Sequence, residues 1–362
     1  MLEVQKYLHS YGLGSLPQDY KIGITKHPSL PMAILTYDAL EAHKAKMSWH
    51  PIVRECRSLV IELGTWEVIS KSFTRFPNLG EYDDGQFNWS NYRIEEKVDG
   101  SLINLYCYNG WKIRTSSSFG EGIIMPGLPH TWSSLFWDLF PKEIVPDLNP
   151  NVTYTFELCS PYNVVVKRHD RPHLKFLSSF NNKSFAENSL SYNCVIADVL
   201  NIPRPTLYSF SSIEEGLKWL ETQPANFEGF VLVDDRGHRI KVKNAAYLAL
   251  HRLKNNGTGF LPRNLVPLIL TKPEEKSEIL TYFPEIKKEW ERCENYINST
   301  IKSADIVLND LKTLNKKEFA LAIAHHEYAL KSILFTCRNK NWIPSQHVLD
   351  FVDLFVKTLE EK

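Results

Sequence analysis

No apolar run in this sequence reaches the roughly 20 residues that a membrane-spanning helix requires. The N-terminus, Met1-Leu2-Glu3-Val4-Gln5-Lys6-Tyr7, lacks the layout of a secretory signal. A soluble, cytoplasmic protein with no membrane partner is therefore expected. Net charge is also missing, with 42 Lys+Arg against 42 Asp+Glu. Whole-chain charge thus gives no support to nucleic-acid binding, and any basic surface must be local. None of the six cysteines (Cys56, Cys107, Cys159, Cys194, Cys293, Cys337) forms a Cys-x-x-Cys pair, which argues against a structural zinc site. Their wide spacing suits buried free thiols in a reducing compartment. No internal repeat or low-complexity segment is present.

The 362 residues allow one large or two ordinary domains, and 43% hydrophobic with 23% charged residues is normal for a folded chain. Aromatic residues, at 12%, suffice for a sizeable core or for stacking platforms. Leu2 to Tyr11 reads as a helix, Ala33–Tyr37 and Ser58–Leu63 as strands, and 66–73 as a strand partner across Gly64-Thr65. Further strands are expected at 92–97, 102–108, 111–116, 153–158, 163–168 and 173–179, with a hairpin over 228–243 and helices over Trp132–Leu139 and Ser212–Thr222. Past Tyr247 the period becomes helical, over 284–314, 318–337 and 345–358. The expectation is an α+β domain over 1–254 and an all-α domain over 255–362, divided at Asn255-Asn256-Gly257-Thr258-Gly259.

Lys97 ends an extended run and is followed by Asp99-Gly100, a hairpin-like turn signal. An amine held at a strand end acts as a nucleophile when burial or a neighbouring cation lowers its pKa. Glu157 and Glu228 each sit in an apolar strand, where a carboxylate is costly unless it is paired or bound to metal. Lys241 and Lys243 share one strand face, because side chains repeat every two residues. Arg57 offers a planar fork for phosphate or carboxylate.

Taken in order, Arg57, Lys97-x-Asp99-Gly100, Glu157, Glu228-Gly229 and Lys241-x-Lys243 resemble the covalent nucleotidyltransferase superfamily. Glu55-Cys56-Arg57-Ser58, Phe76-x-Asn78-Leu79-x-Glu81 and Phe156-Glu157 with Pro161 and Asn163 narrow the resemblance to ATP-dependent RNA ligases of the bacteriophage tRNA-repair type. The resemblance covers roughly residues 50–251 and implies a nucleotidyltransferase domain of antiparallel sheets with flanking helices. It implies Lys97 as the nucleophile that forms lysyl-AMP, and ATP and Mg²⁺ (or Mn²⁺) as cofactors. Glu228, Glu157 and Asp99 would serve the metal. Arg57, Arg75, Glu96, Asp99, Gly100, Glu157, Glu228, Lys241 and Lys243 would contact the nucleotide, with Phe176 as the adenine-stacking ring. The implied partners are RNA with 5′-phosphate and 3′-hydroxyl ends, such as nicked tRNA, and an end-healing kinase/phosphatase. Phage or viral encoding follows in the same way.

One motif departs from the pattern. In Arg114-Thr115-Ser116-Ser117-Ser118-Phe119-Gly120, serines replace a basic residue, and Arg114 is the substitute within reach in sequence. A capping guanylyltransferase or DNA ligase of the same superfamily would continue into a β-rich OB-fold, whereas this chain turns helical. A non-catalytic RNA-binding module and a purely structural α+β protein are the remaining readings. His325-His326-Glu327 lacks the i, i+4 spacing of a helical zinc pair.

Overall fold

Strand-forming runs in the first two thirds of the chain fold into three four-stranded antiparallel sheets. The computed structural model describes residues 1–361 apart from 83–84, 125–127, 129, 254–259, 272, 274–275, 277–278 and 281–282. The expected divide at Asn255–Gly259 thus lies outside the described residues. Two compact units are present, Met1–Ala245 and Ala246–Lys362.

The first sheet runs β1 (Ile22–Lys26), β2 (Met32–Tyr37), β3 (Arg57–Glu62) and β4 (Val68–Ser70) in spatial order. The helices Glu3–Tyr11 and Pro51–Glu55 cover it through Val4, Leu8, Ile52 and Val53. Then follow β5 (Tyr92–Glu96), β6 (Ser101–Cys107), β7 (Trp111–Arg114), β8 (Val152–Cys159), β9 (His173–Asn181), β10 (Leu207–Tyr208), β11 (Gly229–Asp234) and β12 (Arg239–Lys243). They form one sheet ordered β10-β5-β11-β12 and another ordered β7-β6-β8-β9.

Two helices are set by local chemistry. Trp132–Leu139 starts at Thr131, whose Oγ1 accepts the Ser134 N–H at 3.0 Å while Ser134 Oγ accepts the Thr131 N–H. Its Leu135 and Phe136 pack on Phe156 of the β7-β6-β8-β9 sheet. Ile213–Glu221 is capped by Ser212 and buries Gly216 and Leu220 against the sheet that carries β11.

Three expectations about these elements need correction, and one helix was missed. Asp99-Gly100 is not a hairpin turn, because β5 and β6 belong to different sheets and the turn carries the chain from one to the other. Residues 163–168 form no strand; the Val166 and Lys167 N–H groups are taken by a side chain, Asp99 Oδ2, at 3.0 and 2.6 Å. Of 66–73 only Val68–Ser70 pairs in the sheet. The helix Leu190–Leu200, capped by Ser189, was not foreseen.

In the second unit the described elements are helical, with Pro262–Thr271, Lys287–Asp310, Lys316–Ala322, Tyr328–Lys340 and Val352–Glu360 as its α-helices beyond residue 260. Trp290, Cys293, Ile297, Ile333, Leu334 and Phe355 are buried there. The expected helix over 318–337 is two helices. Asn315 caps the first through the Lys317 and Glu318 N–H groups, both at 3.0 Å, and that helix ends at Ala322. Arg338 lies over the Phe319 ring and donates to the Leu311 and Leu314 carbonyls, so this cation fastens the chain to itself. All six cysteines are free thiols, four of them buried; Cys194 is exposed, contrary to expectation.

Candidate active site

Three strand ends of one sheet meet beside the turn that leaves it. The Lys97 N–H donates to the Gly229 carbonyl at 2.8 Å, which continues the β5–β11 pairing past Glu96. Gly229 lies opposite Lys243 across β11 and β12. Glu228, just before β11, therefore falls between two lysines. Its Oε1 is 2.8 Å from Lys97 Nζ and 3.5 Å from Lys243 Nζ. Gly229 has φ +134°, and a Cβ there would stand 2.0 Å from the Val242 carbonyl oxygen, so glycine is required for this approach.

The neighbouring sheet supplies Glu157, which pairs with Leu102 across β6 and β8. Gly100 makes that closeness possible, since a Cβ on it would meet the Leu158 carbonyl oxygen at 2.7 Å. Arg57, at the start of β3, lies over one side of the Phe76 ring at 4.8 Å and donates to the Thr74 carbonyl at 3.4 Å. Lys241 Nζ also approaches that ring, at 4.9 Å. Arg57, Glu96, Lys97, Glu157 and Lys241 together line a cavity of about 90 Å³ whose apolar walls are Phe73, Phe76, Val98, Leu102, Leu177, Pro205 and Val231.

The charges in this cavity perturb one another. Burial pushes the Glu157 carboxyl up to about 8; the nearby Lys97 opposes this, and the carboxylates of Glu228 and Asp99 add to it. Burial alone would push Lys97 down, but the Glu228 and Glu157 charges and the hydrogen bond to Glu228 hold its ammonium above the ordinary lysine value. Burial, then Arg57, Lys97 and Lys243, bring Lys241 down to about 7. The expectation that burial or a neighbouring cation lowers Lys97 is thus not met in the free protein: the depressed amine is Lys241, because Lys97 has the counter-ion. Asp99 is raised by burial and by Glu228, against its two backbone hydrogen bonds.

Other expected residues lie elsewhere. Phe176 is fully buried in the core, with its ring 5.3 Å from that of Phe156, and the next residue, Leu177, faces the cavity instead. Phe176 therefore cannot stack on a base in this cavity. Arg75 lies over the rings of Tyr37 and Trp49, at 4.8 and 4.7 Å, and does not line the cavity. Arg114 does not replace the missing basic contact either. It is fully buried, donates to Ser70 Oγ at 3.1 Å, and burial lowers its pKa to about 9. Arg239 was overlooked, although the two-residue period from Lys241 points to it. It lines the cavity, forks onto Glu187 with two 2.6 Å contacts and lies 4.4 Å from the Phe73 ring.

The carboxylates of Glu157 and the buried Glu228 suit a divalent cation, since the burial and the carboxylate repulsion that raise Glu157 would be offset by one. Asp99 Oδ2 is committed to the backbone, which leaves Oδ1 for such a role. Among the described residues these three carboxylates do not gather their oxygens into one chelating group.

No family model matches the chain. It is 28% identical over 372 residues to a protein of Autographa californica nuclear polyhedrosis virus provisionally named bifunctional polynucleotide kinase/RNA ligase, covering 95% of this chain and 50% of the viral one. The chain thus spans about half the length of that relative. It is 25% identical over 300 residues to the RNA ligase of Rhodothermus phage RM378, covering 61% of this chain and 67% of the phage protein. The solved structure of an archaeal ATP-dependent RNA ligase (form 2) superposes with a TM-score of 0.50 at 14% identity, over 83% of each chain. That likeness supports the α+β fold alone.

Proposed function

We propose that the chain is an ATP-dependent RNA ligase that joins a 5′-phosphate to a 3′-hydroxyl, with Lys97 as its nucleophile. The observation that carries this is the placement of Lys97 Nζ against Glu228, at 2.8 Å, in one cavity with Glu157, Arg57 and Lys241. Similarity to two proteins named RNA ligases supports the substrate class.

In the first step the neutral Lys97 amine attacks the α-phosphorus of ATP. A P–N bond forms as the nitrogen gives one proton to solvent, the bond to the β-phosphate oxygen breaks, and pyrophosphate leaves. In the second, a 5′-phosphate oxygen of RNA attacks the same phosphorus; the P–N bond breaks and the amine regains a proton. In the third, a 3′-hydroxyl gives its proton to solvent as its oxygen attacks the activated 5′-phosphorus; the phosphodiester forms, the bond to the AMP phosphate oxygen breaks and AMP departs. Glu228, Glu157 and Asp99 would hold a divalent cation, which when bound would supply positive charge that offsets these carboxylates and the phosphates. With the charges of Glu228 and Glu157 offset in this way, burial would drive Lys97 towards the neutral amine needed for attack. Arg57, Lys241 and Lys243 hold phosphate oxygens and stabilise charge as it develops on them. Phe76, Leu177 and Val231 give the base apolar walls, and Glu96 lines the same cavity.

The name of the viral relative couples RNA ligase to polynucleotide kinase. We extend that pairing to this chain: an end-healing kinase/phosphatase prepares the ends, and nicked tRNA is the substrate we favour. The test is a 5′-³²P-labelled RNA carrying a 3′-hydroxyl, incubated with ATP and Mg²⁺. Joined or circular product is expected, and none from the same RNA ending in a 3′-phosphate. Absence of both joined product and adenylylated RNA would count against the reading.

A further inference from the structure

We propose that Cys159, His169 and His173 form a zinc-type metal site that fastens the loop between β8 and β9 to the turn following Lys97. One ligand atom from each of the three residues lies within 4.8 Å of the other two, and among the described residues no other group of three does this. The residues converge because Cys159 ends β8, His173 begins β9 directly opposite it, and the loop between them returns His169 to the same place. In sequence they read Cys-x₉-His-x₃-His, a spacing that a search for paired cysteines passes over.

The surroundings are those of a ligand set. Cys159 is fully buried and His169 is 9% exposed. Each imidazole has one nitrogen engaged with a backbone carbonyl: His169 Nε2 with Asp99 at 2.7 Å, and His173 Nδ1 with Arg171 at 3.1 Å. As N–H donors these nitrogens leave the opposite ring nitrogen with its lone pair, the outer-shell arrangement that orients a metal-bound histidine. Tetrahedral zinc with Zn–S about 2.3 Å and Zn–N about 2.0–2.1 Å sets ligand atoms roughly 3.5 Å apart, so the three side chains close by about 1 Å on binding. Thiolate plus imidazole selects Zn²⁺ over the hard Mg²⁺ suited to the carboxylates nearby. On binding, the Cys159 thiol gives its proton to solvent, the two neutral imidazoles donate lone pairs, and water takes the fourth position.

The consequence is mechanical. Asp99 is gripped by this loop twice, through its carbonyl by His169 and through Oδ2 by the Val166 and Lys167 N–H groups. A metal on His169 fixes that ring, and with it the turn that presents Lys97. The residues are thus positioning residues, and the site stands whether or not Lys97 takes up a nucleotide.

The test uses the full chain, reduced and stripped of metal, titrated with Co²⁺ in the absence of nucleotide. One equivalent is expected to give the near-ultraviolet thiolate-to-Co²⁺ charge-transfer band and the strong visible bands of four-coordinate Co²⁺, both erased by Zn²⁺. His173→Gln, at a partly exposed position, should weaken binding at least 10-fold while the far-ultraviolet circular dichroism is unchanged. Cys159→Ser should remove the charge-transfer band, and Cys194→Ser, at an exposed thiol, should retain it. Zn²⁺ should also raise the melting temperature of the wild type and not of His173→Gln, since a ligand of the native state stabilises it by mass action. Absence of the band in the wild type, its survival in Cys159→Ser, or unchanged Co²⁺ affinity in His173→Gln would overturn the proposal. ATP labelling of Lys97 is a separate assay, so failure of nucleotide transfer is distinguishable from failure of metal binding.

Discussion

Lys97 in the free protein is a lysine whose proton is held by Glu228, and Glu157 is the group that bears the strain of crowding. The Glu157 carboxyl sits near 8 in the folded state, against an ordinary value of 4.5. Between those values the folded protein keeps a proton that the unfolded chain has lost. Folding stability from this group is therefore fully present below about 4.5 and is lost as pH rises towards 8. Glu157→Gln, which cannot ionise, should lack this decline. Melting curves of both proteins across that window should diverge, the variant gaining on the wild type as pH rises; parallel curves would refute the assignment. At this scale residue types in strand context were readable: Lys97, Glu157, Glu228 and Lys241 all reach the one site. Phe176 was not, because Phe176 and Leu177 are both apolar and alternation alone does not say which faces the cavity. Arg75 and Arg114 were misplaced because a sequence shows a cation and not its aromatic or buried surroundings.

The elements that gather these side chains depend on two glycines. Gly229 has φ +134° and less room for a Cβ than Gly100, whose difficulty is the nearby Leu158 carbonyl. Gly229→Ala should cost about 3 kcal/mol or more, measured by denaturant unfolding, from backbone strain plus overlap with the Val242 carbonyl. Severing the fork between Arg239 and Glu187 by Glu187→Ala should cost about 3–5 kcal/mol, because it strands a buried guanidinium. Strands with clear alternation and the helices Trp132–Leu139 and Ile213–Glu221 were legible. The helix Leu190–Leu200 was not, because it exposes Tyr192, Val195 and Val199 while burying Asn193, Ala197 and Leu200, and so blurs its own period. The Asp99-Gly100 turn was misread as a hairpin because its true partners, Leu158 and the loop that includes Val166 and Lys167, are far away in sequence.

At the scale of the whole molecule, every residue of the proposed site lies within Met1–Ala245, and the second unit has a core of its own around Trp290 and Phe355. Among the described residues no helix is long and apolar enough to cross a membrane. A fragment of residues 1–253 should form lysyl-AMP and differ from the full chain in its choice of RNA; a folded fragment that fails to label would contradict this. Trp290→Ala should destabilise the helical unit by about 3–5 kcal/mol, seen in its own unfolding transition, while labelling persists. The sequence turns helical in period past Tyr247, and the compact units are Met1–Ala245 and Ala246–Lys362. The most direct measurement of the central claim is incubation with α-³²P-ATP and Mg²⁺ followed by denaturing electrophoresis. Label should travel with the wild-type chain and vanish in Lys97→Ala; label that persists in Lys97→Ala, or a wild type labelled by GTP and not ATP, would contradict it.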